Sequence, residues 1–446
     1  MKTMGQKFYI AVFLMISCIP VLTMPFVKFE GSYTVMSNKA KKPEVISGGQ
    51  LNFQYFEELN DYLADNFNGR EALIEANATL MENIFSTSAD SQVIVGQNDW
   101  LYFSATLHDF TGKNLLTDIE IRQIAKILSL IAEYVQSEGA KFIFTVAPNK
   151  NSIYPENMPA NYLASNQLTN AQQLTPYLDP SYYVDLFKIL DDSEEITYLK
   201  RDSHWNNYGA YLGFLAIMDK LELETNFNIL NKEVRQEFEA DLEGMLYPAS
   251  GHFDEQVYYT FDTDFEFLTR FKTVEDIIIQ TESPTGTNRM IVFRDSFGNA
   301  LLDFFARQFE YLEFSRAVPY QVFNAAEMDY VVIEIVERNL GNLLQTAPIM
   351  PSILRESNFD QDYLIAENVT FNFEERNDLK QVYGYFEIDP QIEVEQIELI
   401  LHDGSIFEAF PILESKLNLE SSEGIQGFSL YLSPELSFEN MIVKYR

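Results

Sequence analysis

Residues 289–309, which read RMIVFRDSFGNALLDFFARQF, constrain the fold of this chain more than any other stretch. The apolar run at 290–293 is typical of a strand buried on both faces, and the apolar residues after 299 recur with a helical period. A strand that turns sharply into a helix places the turn at the carboxyl edge of a sheet, where free helix N–H groups meet ligands. Ser296 lies in this turn. Ser296 is either a nucleophile or a helix N-cap. As a nucleophile it would be well placed, because the neighbouring amides can hold the oxyanion that forms on the attacked carbonyl.

A second stretch, residues 201–210, reads RDSHWNNYGA and contains one of the four histidines of the chain. His204 is the histidine that has a carboxylate, Asp202, two positions before it and a tryptophan, Trp205, directly after it. A serine nucleophile needs a base, and the base needs an acid that fixes its tautomer and stabilises the imidazolium. Positions i and i+2 of an extended segment share a side, so Asp202 can reach the ring. The alternative is an ordinary loop histidine with a polar neighbour.

Together, the two stretches resemble the AlgX/AlgJ-like proteins, also called DHHW proteins, a permuted branch of the SGNH hydrolase superfamily. DSHWN resembles the D-x-H-W signature of that family, and FRDSFGNAL resembles its nucleophile block. Five more segments resemble family blocks in the expected order: FNGREALI at 67–74, VGQNDWLYF at 95–103, APNKNSIYPENMP at 147–159, DLEGML at 241–246 and VVIEIVERNL at 331–340. The resemblance spans residues 50–345.

The resemblance implies an α/β fold with an SGNH-hydrolase-like parallel sheet flanked by helices. It also implies an extracytoplasmic O-acetyltransferase that acts on a cell-surface or exported polysaccharide. Ser296 would accept the acetyl group, His204 would take the serine proton and Asp202 would orient the histidine. The expected acetyl donor is a membrane-bound acyltransferase. We expect neither a cofactor nor a metal site.

Two alternatives stay open at this point. The same three residues with water as the acceptor make an acetylesterase. A catalytically silent protein that binds glycan as a scaffold is the third hypothesis, because the family's glycine before Asp-Ser is Arg294 here. A side chain at that tight turn either crowds the pocket or holds an anionic group.

Four residues are candidates for binding substrate: Lys150, Arg294, Trp205 and Arg338. Lys150 lies in a polar loop after a predicted buried strand at 141–147, and ligands gather at such strand ends. Its alternative is a solvated loop lysine. Arg338 follows the last predicted buried strand, at 328–335, and either binds substrate or forms a salt bridge with Glu337.

The charge of the chain is strongly negative, with a formal net charge of −36 at pH 7. Such a charge argues against nucleic acid and against an anionic membrane surface as partners. It fits a neutral or cationic polymer, bound divalent cations, or simply a well-solvated surface. The single cysteine excludes an intrachain disulfide and a cysteine-based zinc site.

The N-terminus reads as a targeting element. Lys2 and Lys7 precede an uncharged run at 8–27, whose length is enough to span a bilayer. Basic residues at the start predict a cytoplasmic N-terminus, and the absence of a clear cleavage site favours an uncleaved anchor. We therefore predict a single-pass anchor at 1–30, a linker at 31–50, and a catalytic domain on the extracytoplasmic side of the cell membrane.

The remaining pattern divides the chain into two folded parts. Residues 51–355 alternate helices, strands and polar loops, as α/β domains do. They include a helical stretch at 51–85 that we expect to pack in a core, a strand pair at 93–103 and a helix at 117–139 with a capping box. A segment at 227–285 lacks clear periodicity, and we expect it mainly to cover the core, the alternative being an insertion that lines the acceptor groove. Residues 362–446 alternate over several short runs, which predicts a small β-sandwich that either binds glycan or caps the structure.

Overall fold

The computed structural model of the chain describes residues 2–23, 40–47, 50–67, 69–85, 87–250, 252–356, 363–376, 378–419, 424–436 and 441–446. The first helix, α1, covers Lys2–Thr23. Among the described residues, none of the helices combines the length and the apolar character that crossing a bilayer requires. The anchor at 1–30 is not confirmed and stays a prediction. Much of the predicted linker at 31–50 lies outside the described residues.

The region before the central sheet contains two short strand pairs and two surface helices: β1 Ile46–Ser47, β2 Gln50–Leu51, α2 Tyr55–Asn66, α3 Arg70–Phe85, β3 Val93–Val95 and β4 Leu101–Phe103. The predicted pair at 93–103 is confirmed, since β3 and β4 are antiparallel neighbours. The helical prediction for 51–85 is also confirmed, and Ala78 of α3 packs in a core with Val93 and Leu101, but the expected core packing is wrong for α2. No residue of α2 is buried, and Phe53 and Phe56 are 93% and 81% exposed. Periodicity predicts the helix but not the surface that its apolar side meets.

The central part of the chain alternates helices and strands, in this order: α4 Leu107–Thr111, α5 Asp118–Ser137, β5 Lys141–Ala147, α6 Lys150–Ile153, α7 Asn170–Leu174, β6 Tyr183–Val184, α8 Leu186–Asp191, α9 Asn207–Leu221, β7 Ile229–Phe238, α10 Asp241–Leu246, β8 Asp254–Phe261, β9 Glu266–Phe267, β10 Ile278–Glu282, β11 Arg289–Phe293, α11 Leu302–Gln308, β12 Tyr311–Ser315 and β13 Tyr330–Val336. The predicted capping box of α5 is present, with Thr117 and Glu120 bonding each other's backbone N–H groups.

A seven-stranded sheet forms the centre of the fold, in the order β6-β5-β13-β11-β12-β10-β9. The five strands from β6 to β12 run parallel, whereas β10 and β9 are antiparallel to their neighbours. The carboxyl ends of parallel strands meet at one edge of a sheet. This edge therefore collects the loops that follow β5, β11 and β13, which carry Lys150, Ser296 and Arg338.

Helices cover both faces of the sheet, so its central strands are buried on each side. On one face, Ile291 and Phe293 of β11 share a core with α5. On the other face, Met290 and Val292 share a core with α9 and α11. This burial is the physical reason for the uninterrupted apolar run at 290–293.

The segment without clear periodicity contains a long antiparallel hairpin, formed by β7 and β8. Most of β7 is exposed, and the pairing with β8 contains two register irregularities, near Asn231 and near Gln236. The expectation that this segment mainly covers the core is therefore wrong for β7. A strand exposed on both faces needs no apolar alternation, which explains why the sequence pattern does not reveal β7.

The C-terminal part consists of two antiparallel sheets: β14 Leu354–Arg355, β15 Leu364–Ile365, β18 Ile397–Ile400, β19 Ile406–Ala409 and β21 Ile442–Tyr445 form one sheet of five strands, and β16 Glu367–Arg376, β17 Leu379–Glu387 and β20 Ile425–Leu432 form one of three. Side chains of both sheets share one core, which includes Val382, Phe386, Leu399 and Phe428. This is the two-layer arrangement that the alternation predicts. Strand β14 joins it from before residue 362.

Candidate active site

Three side chains predicted to act together lie in one hydrogen-bonded row. The Oδ1 atom of Asp202 lies 2.8 Å from Nδ1 of His204, and Nε2 of His204 lies 2.9 Å from Oγ of Ser296. Both contacts have the length of good hydrogen bonds. The structure thus brings Asp202, His204 and Ser296 together at the carboxyl edge of the sheet.

The loop that carries Asp202 and His204 is closed on itself. Tyr198 and Trp205 form an isolated antiparallel bridge across it, and Leu199 N–H donates to the His204 carbonyl at 3.2 Å. The side chain of Asn206 accepts from Gly209 N–H at 2.8 Å and so caps α9. The loop is thus tied to the start of a buried helix, which fixes where the imidazole points.

The turn that carries Ser296 is held by its neighbour Asp295 rather than by Ser296 itself. Asp295 accepts from Phe297 N–H at 2.9 Å, from Val336 N–H at 2.8 Å and from the Asn339 side chain at 3.0 Å. The Ser296 side chain makes no capping bond, so the helix N-cap alternative is wrong. Its hydroxyl is left to His204. Asp295 and Asn339 were not predicted, although both lie in segments that resemble family blocks.

Burial and hydrogen bonding set the charges of the base and its carboxylate. Burial disfavours ionised Asp202, but His204 and two backbone N–H donors outweigh it, so its pKa is lowered to about 2. Burial likewise disfavours charged His204, but the neighbouring carboxylates outweigh it and raise its pKa. The site therefore favours an imidazole that accepts a proton readily, as a general base must.

Trp205 lies beneath the site and does not face substrate. Its side chain is 1% exposed, and its indole N–H donates to the Phe297 carbonyl at 2.8 Å. The ring also packs on the Phe297 ring, with centroids 5.8 Å apart. The predicted substrate-binding role of Trp205 is wrong, because burial and this single donor commit it to joining the two loops of the site.

Lys150 is likewise a structural residue, which contradicts both of its predicted roles. It is 3% exposed, and its ammonium donates to the carbonyls of Leu199, Lys200 and Asp202 at 3.0, 3.0 and 2.5 Å. An ammonium has three N–H donors, so none remains for substrate. Burial lowers its pKa to about 8, although nearby carboxylates oppose this. Lys150 ties the strand end of β5 to the Asp202 loop.

Arg294 points behind the nucleophile turn. It is 2% exposed and donates to the carbonyls of Val274 and Asp295 and to the Asn299 side chain. Its guanidinium also lies over the Phe314 ring, 4.8 Å from the centroid. Burial lowers its pKa to about 10. The predictions that it crowds the pocket or holds an anionic group are both wrong, because the side chain is buried and both of its terminal nitrogens donate to groups of the fold.

Arg338 remains a candidate for binding substrate. Its guanidinium lies 5.3 Å from the ring centroids of both Phe103 and Phe297, and the Phe297 ring lies 4.9 Å from that of His204. The salt bridge to Glu337 does not form, because the buried Glu337 accepts instead from Asn149 N–H and the Ser152 hydroxyl. Arg338 forms no salt bridge with any residue that the structure describes. Burial lowers its pKa, and four nearby carboxylates only partly oppose this.

Sequence reasoning missed a second carboxylate at His204. Asp241 opens helix α10, and its Oδ2 atom lies 3.7 Å from Nδ1 of His204. It accepts from Ser203 N–H at 2.8 Å and from the Ser203 hydroxyl at 2.5 Å. The sequence signal that could have indicated Asp241 is the DLEGML segment, which resembles a family block and begins at this residue.

The sheet order and the helices on both faces of the sheet define a mixed α/β fold, with Ser296 just beyond the carboxyl end of β11. Residues 93–262 match the family described as SGNH hydrolase-like domain, acetyltransferase AlgX. The resemblance predicted from sequence motifs is thereby confirmed over that part of the chain. Asp202, His204 and Asp241 lie within the matched residues, and Ser296 lies beyond them. None of the curated proteins compared matches the chain.

Several solved structures are similar to this chain. Bacillus cereus PatB1 has 18% sequence identity and a TM-score of 0.43, with 56% of this chain and 96% of that chain covered. Pseudomonas aeruginosa AlgX has 13% identity and a TM-score of 0.35, with 81% and 94% covered. A DHHW family protein from Eubacterium siraeum has 18% identity and a TM-score of 0.39, with 49% and 85% covered.

Proposed function

We propose that this protein is an O-acetyltransferase that moves an acetyl group onto a hydroxyl of a polysaccharide. The observation that carries the proposal is the row Asp202–His204–Ser296, with contacts of 2.8 and 2.9 Å, in a chain whose residues 93–262 match an acetyltransferase family. A serine with a hydrogen-bonded histidine, itself held by a carboxylate, is the arrangement that acyl transfer requires.

The reaction would proceed in two steps. In the first, Ser296 Oγ attacks the acetyl carbonyl, and His204 Nε2 takes the serine proton and passes it to the leaving group of the donor. In the second, a sugar hydroxyl attacks the acetyl-serine, and His204 takes the hydroxyl proton and returns it to Ser296. Asp202 keeps the His204 proton on Nδ1, so that Nε2 is free to accept.

Arg338 is the residue we assign to substrate. It sits over Phe297, the residue after the nucleophile, and is a half-buried cation that forms no salt bridge within the described chain. A guanidinium in such surroundings attracts a developing oxyanion or an oxygen-rich ligand more strongly than one in water. The polysaccharide acceptor, the membrane-bound donor and a site of action outside the cytoplasmic membrane also belong to this proposal, from the family resemblance and the N-terminal apolar run.

The test compares the parent chain with Ser296→Ala. We expect the variant to lose acetyl transfer from an aryl acetate by at least about 1,000-fold, because the covalent route needs the hydroxyl. Its unfolding temperature should stay close to that of the parent, because the lost contact is worth only about 1 kcal/mol. Mass spectrometry should find acetyl on the peptide that contains Ser296 in the parent only.

The matched control is Ser433→Ala, an exposed serine of the C-terminal part, which should transfer acetyl like the parent. Adding an oligosaccharide separates the acceptors: acetylated sugar supports a transferase, and acetate alone supports an esterase. If Ser296→Ala turns over the ester as fast as the parent, Ser296 is not the nucleophile and the scaffold hypothesis leads.

A further inference from the structure

His204 faces two carboxylates, and the row Asp202–His204–Ser296 uses only one of them. Asp202 Oδ1 lies 2.8 Å from His204 Nδ1, and Asp241 Oδ2 lies 3.7 Å from the same atom. The Ser203 hydroxyl sits between them, 3.1 Å from His204 Nδ1, and donates to Asp241 Oδ2 at 2.5 Å. A second carboxylate is thus directed at the ring nitrogen that gains positive charge when His204 takes a proton.

Asp241 also holds both residues that flank this contact. Its backbone N–H donates to Asp202 Oδ2 at 2.8 Å, and its Oδ1 accepts from Ser203 N–H at 2.8 Å. The neighbouring Glu243 forms hydrogen bonds with the Arg201 side chain, which begins the same loop. Helix α10 therefore contacts the Arg201–His204 segment at consecutive residues and fixes the orientation of the base.

The other charged groups near this contact do not replace the second carboxylate. They are Lys150, which donates to the Asp202 carbonyl, Arg201, which pairs with Glu243, Asp254, which accepts from Arg201 N–H, and Arg338, which acts on both Asp241 and His204. Arg338 and Lys150 are cations, so they disfavour a charged imidazolium. Asp241 is the anion that lies closest to Nδ1 after Asp202.

We propose that Asp241 is a positioning residue for the His204 base, and that its carboxylate supplies the second negative charge that stabilises His204 while it holds the proton of Ser296. The proposal rests on the function proposed above, since it assigns a role within the same site. No bond forms or breaks at Asp241. Asp241 acts electrostatically across the 3.7 Å between its Oδ2 atom and Nδ1 of His204. It also orients the loop through its hydrogen bonds with Ser203 and Asp202.

A pH dependence follows from this arrangement. Burial, with a contribution from Asp202, raises the pKa of Asp241 to about 6, against the opposing effect of His204. The second negative charge is therefore present above about pH 6 and lost below it. Acetyl transfer needs an unprotonated His204, whose pKa the neighbouring carboxylates raise, so the rate should fall on the acid side.

The test is Asp241→Asn in the full chain, followed by NMR titration of the His204 imidazole and by kcat/KM for an aryl acetate as a function of pH. Asparagine keeps an acceptor for Ser203 N–H and removes the charge. The pKa of His204 should fall by about 1, because an anion within 4 Å is lost. Transfer at pH 7 should fall about tenfold, and the acid limb of the profile should move to lower pH.

Two controls separate charge from structure. Asp192→Asn changes an exposed carboxylate away from the site and should leave both readouts unchanged. Ser203→Ala removes the hydroxyl link but keeps the carboxylate, so the pKa of His204 should stay close to the parent value. Asp241→Glu keeps the charge and should restore most of the pKa of His204.

An unchanged His204 pKa in Asp241→Asn, with only a lower unfolding temperature, would overturn the electrostatic role. The two proposals fail separately. A parent chain without any acetyl transfer overturns the proposed function. The NMR titration still decides whether the negative charge of Asp241 raises the pKa of His204.

Discussion

At the scale of single residues, burial distinguishes side chains that shape the site from those that face it. Lys150 shapes the site, since its ammonium donates to three backbone carbonyls, one of which belongs to Asp202.

We predict that Lys150→Met lowers the free energy of unfolding by about 2–4 kcal/mol, because buried carbonyls lose a charged donor. It should also slow acetyl transfer, because the Asp202 loop loosens. Thermal unfolding measures the loss of stability, and the turnover of an aryl acetate measures the change in acetyl transfer. Lys141→Met, at a largely exposed lysine, is the control, and equal losses in the two variants would contradict this role for Lys150.

At the scale of elements, helix α9 contacts the segment that leads into the Asp202 loop through a glycine. A Cβ atom on Gly209 would lie 2.3 Å from the backbone oxygen of Thr197, closer than any real contact.

We predict that Gly209→Ala lowers the free energy of unfolding by about 1–3 kcal/mol and lowers kcat, because helix α9 and the loop must move apart. In the control Gly341→Ala, the new Cβ meets only a Leu116 methyl at 3.8 Å, so little change is expected. Unaltered kcat in Gly209→Ala would show that the loop tolerates this displacement.

At the scale of the whole molecule, buried carboxyls and the net charge of −36 act in the same direction. Burial raises the pKa of several carboxyls: Asp109, Asp241, Glu243, Asp254, Glu334 and Glu337. A raised carboxyl pKa stabilises the fold below the unfolded value and loses that contribution as pH rises through the folded value. We predict an unfolding temperature about 5 °C or more higher at pH 5 than at pH 8.

Calorimetry at constant ionic strength measures this difference, and the lowered pKa of Asp202 does not oppose it, because that group is ionised at both pH values. Added salt screens surface repulsion but not the buried groups, so part of the difference should persist at high salt. A chain that is equally stable at pH 5 and pH 8 would show that the folded and unfolded chains bind the same number of protons over this range, so that burial does not raise the pKa of these carboxyls.

Elements with local signals could be predicted from the amino-acid sequence. The apolar run at 290–293 is typical of a strand buried on both faces, and Thr117 with Glu120 marks a helix start through contacts three residues apart. Asp202 and His204 are two residues apart, so their pairing was also visible. Ser296 could be placed at the sheet edge because a strand precedes it and a helix follows.

The surroundings of each polar side chain, in contrast, follow from the packing of distant segments. Lys150, Trp205 and Arg294 lie in site segments by sequence, yet all three are buried and bonded to the backbone of neighbouring loops. Asp241 lies 37 residues after His204 in the chain and reaches it only because α10 docks on the Asp202 loop. Local patterns fix backbone conformation, whereas the direction and partners of a polar side chain depend on contacts between distant segments, which no short window of sequence contains.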